Sequence, residues 1–160
     1  MGKGKKIKTN AARLLDGENI KYELIEYTAP EGFLDGVSIA RQTGLPEDIV
    51  FKTLVCVGAS GQYYVCDIPV AETLSLKKAA GHFGEKKIEM IAAKDITKIT
   101  GYIKGGCSPI GMKKEYPTAI HESAKSLPYI VVSGGKVGLQ IKLETEDLMR
   151  ITRGTFGDLC

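Results

Sequence analysis

Eleven residues in the second half of the chain, Gly101-Tyr102-Ile103-Lys104-Gly105-Gly106-Cys107-Ser108-Pro109-Ile110-Gly111, cannot form the interior of a helix or strand. Four glycines and a proline remove side-chain packing and a backbone donor, so the fold must be arranged around a long structured loop. Such a loop serves one of two purposes. Its glycines let the backbone approach a ligand and turn consecutive amides toward an anion, or they simply supply the turns of a long connection. Ser108-Pro109 adds a hydroxyl and a rigid corner.

Regular elements are expected on both sides of the loop. Thr9 or Asn10 caps a helix through Leu15 that Gly17 ends in the left-handed conformation. Residues 22–27 alternate as a strand with one exposed face, residues 28–36 form a loop, and Ser38 caps a helix running to Gly44. Residues 50–57 and 62–68 are apolar and β-branched around Gly58-Ala59-Ser60-Gly61, the pattern of a hairpin. Ser75 caps a helix that stops at Gly84, followed by an extended segment at 88–92 and a helical one at 94–100.

Beyond the loop, strands are expected at 118–121, 129–133 and 137–143, the last two joined by Gly134-Gly135-Lys136. A closing helix starts at Thr145 and ends at Gly154. Helices interleaved with hairpins require both parallel and antiparallel pairing. The expected class is therefore α/β (mixed α+β), with one mixed sheet, curled or closed, and helices packed outside. A basic, flexible tail is expected over residues 1–8 and a single domain over 9–160.

Charge is uneven. The net +3 combines +4 on residues 1–8 and +6 on residues 77–114, where nine lysines face three acids, leaving −7 elsewhere. The central basic stretch is the candidate surface for a phosphate-bearing partner. No run reaches the ~18 apolar residues of a membrane helix, so no membrane association is expected and the default compartment is the cytoplasm. Cys56, Cys66, Cys107 and Cys160 contain no Cys-x-x-Cys pair and do not group with His82 or His121, so no metal or other cofactor is expected. Hydrolase signatures such as Gly-x-Ser-x-Gly and His-Glu-x-x-His are also missing. A hydrolase of this composition must work by positioning and electrostatics.

Lys52 is out of place at the start of an apolar strand. Either it points outward with its stem on apolar surface, or it carries a charge into a concave site to bind phosphate or polarise a carbonyl. Ser133 and Gly134 lie at a strand end, where a polar side chain can face a pocket or merely make a turn.

Three spaced segments then acquire meaning together: Phe51-Lys52-Thr53-Leu54, the loop from Gly101 to Gly111, and Val132-Ser133-Gly134-Gly135-Lys136 with Gly138-Leu139. In order and spacing they resemble the YbaK family of aminoacyl-tRNA deacylases, related to the editing domain of bacterial prolyl-tRNA synthetases. The resemblance spans about Asn10 to Leu159. It implies a barrel-like mixed sheet and hydrolysis of the ester of a mischarged tRNA, typically cysteine on tRNA(Pro); the chain's weak net basicity adds prolyl-tRNA synthetase as an expected partner that supplies affinity.

By the same resemblance, Lys52 is the catalytic lysine that holds the aminoacyl ester and the terminal adenosine phosphate. Tyr27, Thr53, Gly101, Gly105, Gly106, Ser108, Ser133 and Gly134 are the substrate-binding candidates. In the cysteine-specific relatives the substrate's own thiol attacks its carbonyl. Those relatives read Gly-Gly-Lys-Arg-Gly-Leu-Asp where this chain has Val137 and Gln140 in place of the Arg and Asp, and its loop after Tyr27 is shorter. The alternative function is a non-catalytic module that binds a tRNA acceptor end or a synthetase through residues 77–114.

Overall fold

A computed structural model describes residues 8–32 and 34–160, so most of the expected basic tail lies outside the described residues. Helix α1 (Asn10–Gly17) starts where the Thr9 side chain accepts a bond from the Ala12 N–H, and it buries Ala11, Ala12 and Leu15. Gly17 stays helical, and the left-handed residue is Asn19 at φ 58°. Bonds from the Asn19 and Ile20 N–H groups to the Asp16 and Leu15 carbonyls close the end, a geometry asparagine tolerates better than most residues.

Strand β1 (Tyr22–Glu26) leads to α2 (Gly36–Thr43). The cap of α2 is Asp35, not Ser38, since Asp35 accepts both the Ser38 N–H and the Ser38 hydroxyl at 2.9 Å. Strands β2 (Phe51–Gly58) and β3 (Tyr63–Pro69) form the expected hairpin, with Thr53 opposite Asp67. Ser75 caps α3 (Leu76–Phe83), and Gly84 ends it at φ 73°. Strand β4 (Ile88–Met90) and helix α4 (Ile96–Thr100) follow, and Gly101 takes the left-handed conformation.

After the loop come β5 (Thr118–His121), β6 (Tyr129–Lys136), β7 (Leu139–Glu144), α5 (Thr145–Thr152) and β8 (Thr155–Gly157). Strand β6 runs through Gly134-Gly135-Lys136, which is not the expected turn, and the chain reverses at Val137-Gly138. A register shift between Ser133 and Lys136 absorbs the glycines, and a Cβ on Gly134 would lie 2.8 Å from the Leu139 Cγ. Arg153, not Gly154, takes the left-handed position after α5.

The strands form two sheets: β1-β7-β6, wholly antiparallel, and β4-β2-β3-β5-β8, in which β3–β5 and β5–β8 are parallel. One parallel bridge between the buried Val50 and Val131 joins them, so no closed barrel exists among the described residues. The main core lies between the sheets, α1 and α5 and contains Leu15, Phe51, Ile110, Ile120, Ile130, Ile141 and Leu148. A second packs α3 on β2 and β3 through Cys56, Cys66, Ile68, Ala79 and Ala80. Ile110 belongs to the glycine-rich loop, so that loop is anchored in the main core. Among the described residues no helix is long and apolar enough to cross a membrane.

Candidate functional site

Strand β4 pairs with Cys56, Val57 and Gly58 of β2, so among the described residues the β2 edge over Phe51–Leu54 has no neighbouring strand. A cavity of about 300 Å³ opens there. Its walls come from β2 (Lys52, Thr53), the loop (Lys104, Gly105, Cys107), β6 and β7 (Ser133, Gln140), Tyr27 and the start of α2. The structure thus gathers Tyr27, Lys52, Thr53, Gly105 and Ser133 at one site. A larger cleft of about 500 Å³ near the start of α5 contains none of the candidates.

The remaining candidates stand behind the wall. Gly101 caps α4. Ser108 is fully buried, and its hydroxyl oxygen accepts the Ile110 N–H at 3.2 Å within the loop. Gly134 supplies its carbonyl to the Thr9 hydroxyl at 2.6 Å. Gly106 passes the end of β6 so closely that a Cβ would lie 2.7 Å from the Lys136 Cα. Gly106→Ala is therefore expected to push the loop off β6 and lower stability by about 1–3 kcal/mol, as measured by urea unfolding. An unchanged midpoint would contradict the contact.

Lys52 is half-buried and makes no ion pair or hydrogen bond among the described residues, so its ammonium is available to a ligand. Lys104 lines the same cavity. Asp35 also lines it, but its carboxylate is held by the Ser38 N–H and hydroxyl, which keep it below the usual range. Several lysines of the basic stretch form exposed pairs, Lys78 with Asp158 at 3.0 Å and Lys87 with Glu89 at 3.2 Å. Pairs of that kind are weak and easily exchanged for phosphate.

Gln140 and Cys107 also line the cavity, and Asp67 stands behind Thr53. Asp67 is fully buried and accepts the Thr53 hydroxyl at 2.5 Å, while its Oδ2 has no hydrogen-bond partner among the described residues. Burial pushes its carboxyl up to about 7, and the Thr53 bond only partly opposes this. Gln140 sits opposite Ser133 across β6 and β7, is 5% exposed, and its Oε1 has no hydrogen-bond partner among the described residues. Burial pushes the Cys107 thiol up to about 12, so Cys107 stays protonated and is a poor nucleophile.

No serine or cysteine of the cavity is served by a histidine. His82 bonds the Thr155 hydroxyl at 2.8 Å and His121 accepts the Leu159 N–H at 3.1 Å, both away from the cavity. Among the described residues no group of acids, histidines and cysteines is placed to hold a metal ion. The arrangement offers cationic and hydroxyl donors, buried acceptors and an open backbone edge, which suits binding and polarising an ester.

Comparison with known proteins gives the same direction. Residues 35–151 match the model of the aminoacyl-tRNA editing domain. The chain is 43% identical over 152 residues, 95% of its length and 93% of the relative, to EbsC of Enterococcus faecalis, to which Cys-tRNA(Pro)/Cys-tRNA(Cys) deacylase activity is attributed. In fold it is similar to a protein assigned as a trans-editing enzyme for prolyl tRNA synthetase, with TM-score 0.81, 22% identity and coverage of 96% and 98% of the two chains. It is likewise similar to protein APE2540, with TM-score 0.84, 18% identity and coverage of 94% and 98%. The chain belongs to the aminoacyl-tRNA editing family, of the YbaK type.

Proposed function

We propose that this chain deacylates mischarged tRNA with Cys-tRNA(Pro) as its preferred substrate, releasing free cysteine and the intact tRNA 3′-hydroxyl. The observation that carries this reading is Lys52: a lysine side chain in no ion pair or hydrogen bond among the described residues, lining a cavity with Thr53, Ser133 and Tyr27. In the proposed complex Lys52 and Lys104 meet the terminal phosphate, and Lys52 polarises the ester carbonyl. Ser133, Tyr27 and the backbone at Gly105 bound the aminoacyl group. Gly101, Gly106, Ser108 and Gly134 act indirectly, by holding the loop and the β6 end in place. With no activated protein nucleophile, the attacking group is the substrate's thiol or water.

The preference for cysteine on tRNA(Pro) is supported by the attribution given to EbsC. The folded part's mild charge suggests loose tRNA binding by this domain alone, so prolyl-tRNA synthetase is proposed as a partner that adds affinity in the cytoplasm. Incubation with tRNA(Pro) carrying Cys, Ala, Ser or Pro, and with Cys-tRNA(Cys), tests the reading through free amino acid release. Release of cysteine with Pro-tRNA(Pro) spared is expected; tight, salt-sensitive tRNA binding without release would favour a non-catalytic module.

Gln140 occupies the position where cysteine-specific relatives carry aspartate. Gln140→Asp is expected to raise the ratio of cysteine to alanine release about tenfold, within the ~1–3 kcal/mol that pocket changes supply. An unchanged ratio would remove Gln140 from the specificity wall.

A further inference from the structure

We propose that Asp67 is a positioning residue of this site: a buried carboxylate, reached from the cavity through Thr53, that takes up the proton released by the attacking group. The proposal rests on the deacylase reading above and concerns a strand that no part of that reading uses. Thr53 has a single hydroxyl proton, and the 2.5 Å bond commits it to Asp67 Oδ1. While Asp67 is a carboxylate, only lone pairs of Thr53 Oγ1 remain to face the cavity, so in that state Thr53 accepts a proton there.

The surroundings of Asp67 keep the pair isolated. Asp67 is flanked by Cys66 on β3, faces Thr53 on β2 and Ile120 on β5, and feels Cys107 of the loop; Lys52 and Lys104 line the same cavity as Thr53. Burial and Thr53 set its affinity for a proton, at a value near neutrality that suits a proton acceptor.

The step balances as follows. The S–H or O–H proton of the attacking group moves to Thr53 Oγ1 while Thr53's own proton moves to Asp67 Oδ1. A bond forms from sulfur or oxygen to the carbonyl carbon. When the bond from that carbon to the ribose oxygen breaks, the proton returns by the reverse route to the ribose oxygen, and Asp67 is again a carboxylate; after attack by sulfur, a water then opens the resulting thiolactone, its oxygen bonding to the carbonyl carbon and a proton going to the sulfur, which releases cysteine. No oxidant or cofactor enters.

The test is the pH profile of kcat on Cys-tRNA(Pro), from pH 5.5 to 8.5, for wild type, Asp67→Asn, Thr53→Val and Thr53→Ser. Wild type is expected to rise through about pH 7. Asp67→Asn and Thr53→Val lose about 100-fold in kcat at pH 8 with KM within twofold, and they keep only the rise of the substrate thiol above pH 8. Thr53→Ser recovers most of the rate. Wild-type kcat and profile in Asp67→Asn, or a change in KM alone, would overturn the relay and leave a purely structural pair. If Asp67→Asn does not fold, Thr53→Val and Thr53→Ser decide alone. A wild-type protein that releases no amino acid overturns the deacylase reading itself and the relay with it.

Discussion

Raising the pH from 4 to 8 is expected to cost the folded chain on the order of 4 kcal/mol through Asp67 alone. Its carboxyl sits at about 7 in the folded state against 3.8 when free, and each unit is worth about 1.4 kcal/mol. Because the folded form holds its proton more tightly, the unfolded chain binds fewer protons across this window. The contribution of Asp67 is therefore fully present below about pH 4 and is lost as pH rises to about 7.

Asp16, Asp35, Glu85 and Asp158 shift the opposite way, toward lower values, so their contributions fall away only in more acidic solution. Urea unfolding of wild type and Asp67→Asn at pH 4, 6 and 8 isolates the effect. The variant should gain steadily on wild type as pH increases; parallel curves would mean that Asp67 ionises freely. A carboxyl that weakens the fold at neutral pH is a reason to look for its use in the site.

Replacing Lys52 is expected to have the other large effect. Lys52→Ala should lower deacylation about 100- to 1000-fold, the usual cost of removing one donor aimed at developing charge. The same change should alter stability by less than about 1 kcal/mol, because the half-buried side chain makes no hydrogen bond or ion pair among the described residues. Lys52→Arg should not restore the rate, since a planar guanidinium cannot reproduce a compact ammonium at one point. Activity within a few-fold of wild type in Lys52→Ala would remove it from the site.

Local chemistry made much of this fold legible. The β2–β3 hairpin, the Ser75 cap, the left-handed Gly44 and Gly84, and the irregular 101–111 segment all follow from residue types and short-range geometry. Most differences come from packing, whereas at α2 a local contact decides, Asp35 capping the helix through the Ser38 N–H and hydroxyl. Asn19 and Arg153 took left-handed positions assigned to nearby glycines because the helices end where their buried faces end. Gly134 and Gly135 look like a turn, yet they extend β6 because the strand must pass Leu139, Thr9 and Tyr102 closely. Strand β8 has three residues, too few for periodicity, and forms only by pairing with β5.

The site divides similarly. Lys52 stood out as a charge in an apolar strand, and the glycine-rich loop stood out by composition. Which glycines line the cavity depends on how the loop crosses β6, a contact distant in sequence. Asp67 has a sequence signal of its own, a carboxylate inside the apolar run Val65-Cys66-Asp67-Ile68, and the hairpin sets it directly across from Thr53. Only the pairing register turns it into a buried neighbour of the cavity wall.

The most direct measurement is the rate of cysteine release from purified Cys-tRNA(Pro) with this protein alone, beside matched Pro-tRNA(Pro). Catalytic release of cysteine, with Pro-tRNA(Pro) decaying only at its rate in buffer, is the predicted result. Cys-tRNA(Pro) persisting as long with the protein as without it would contradict the account.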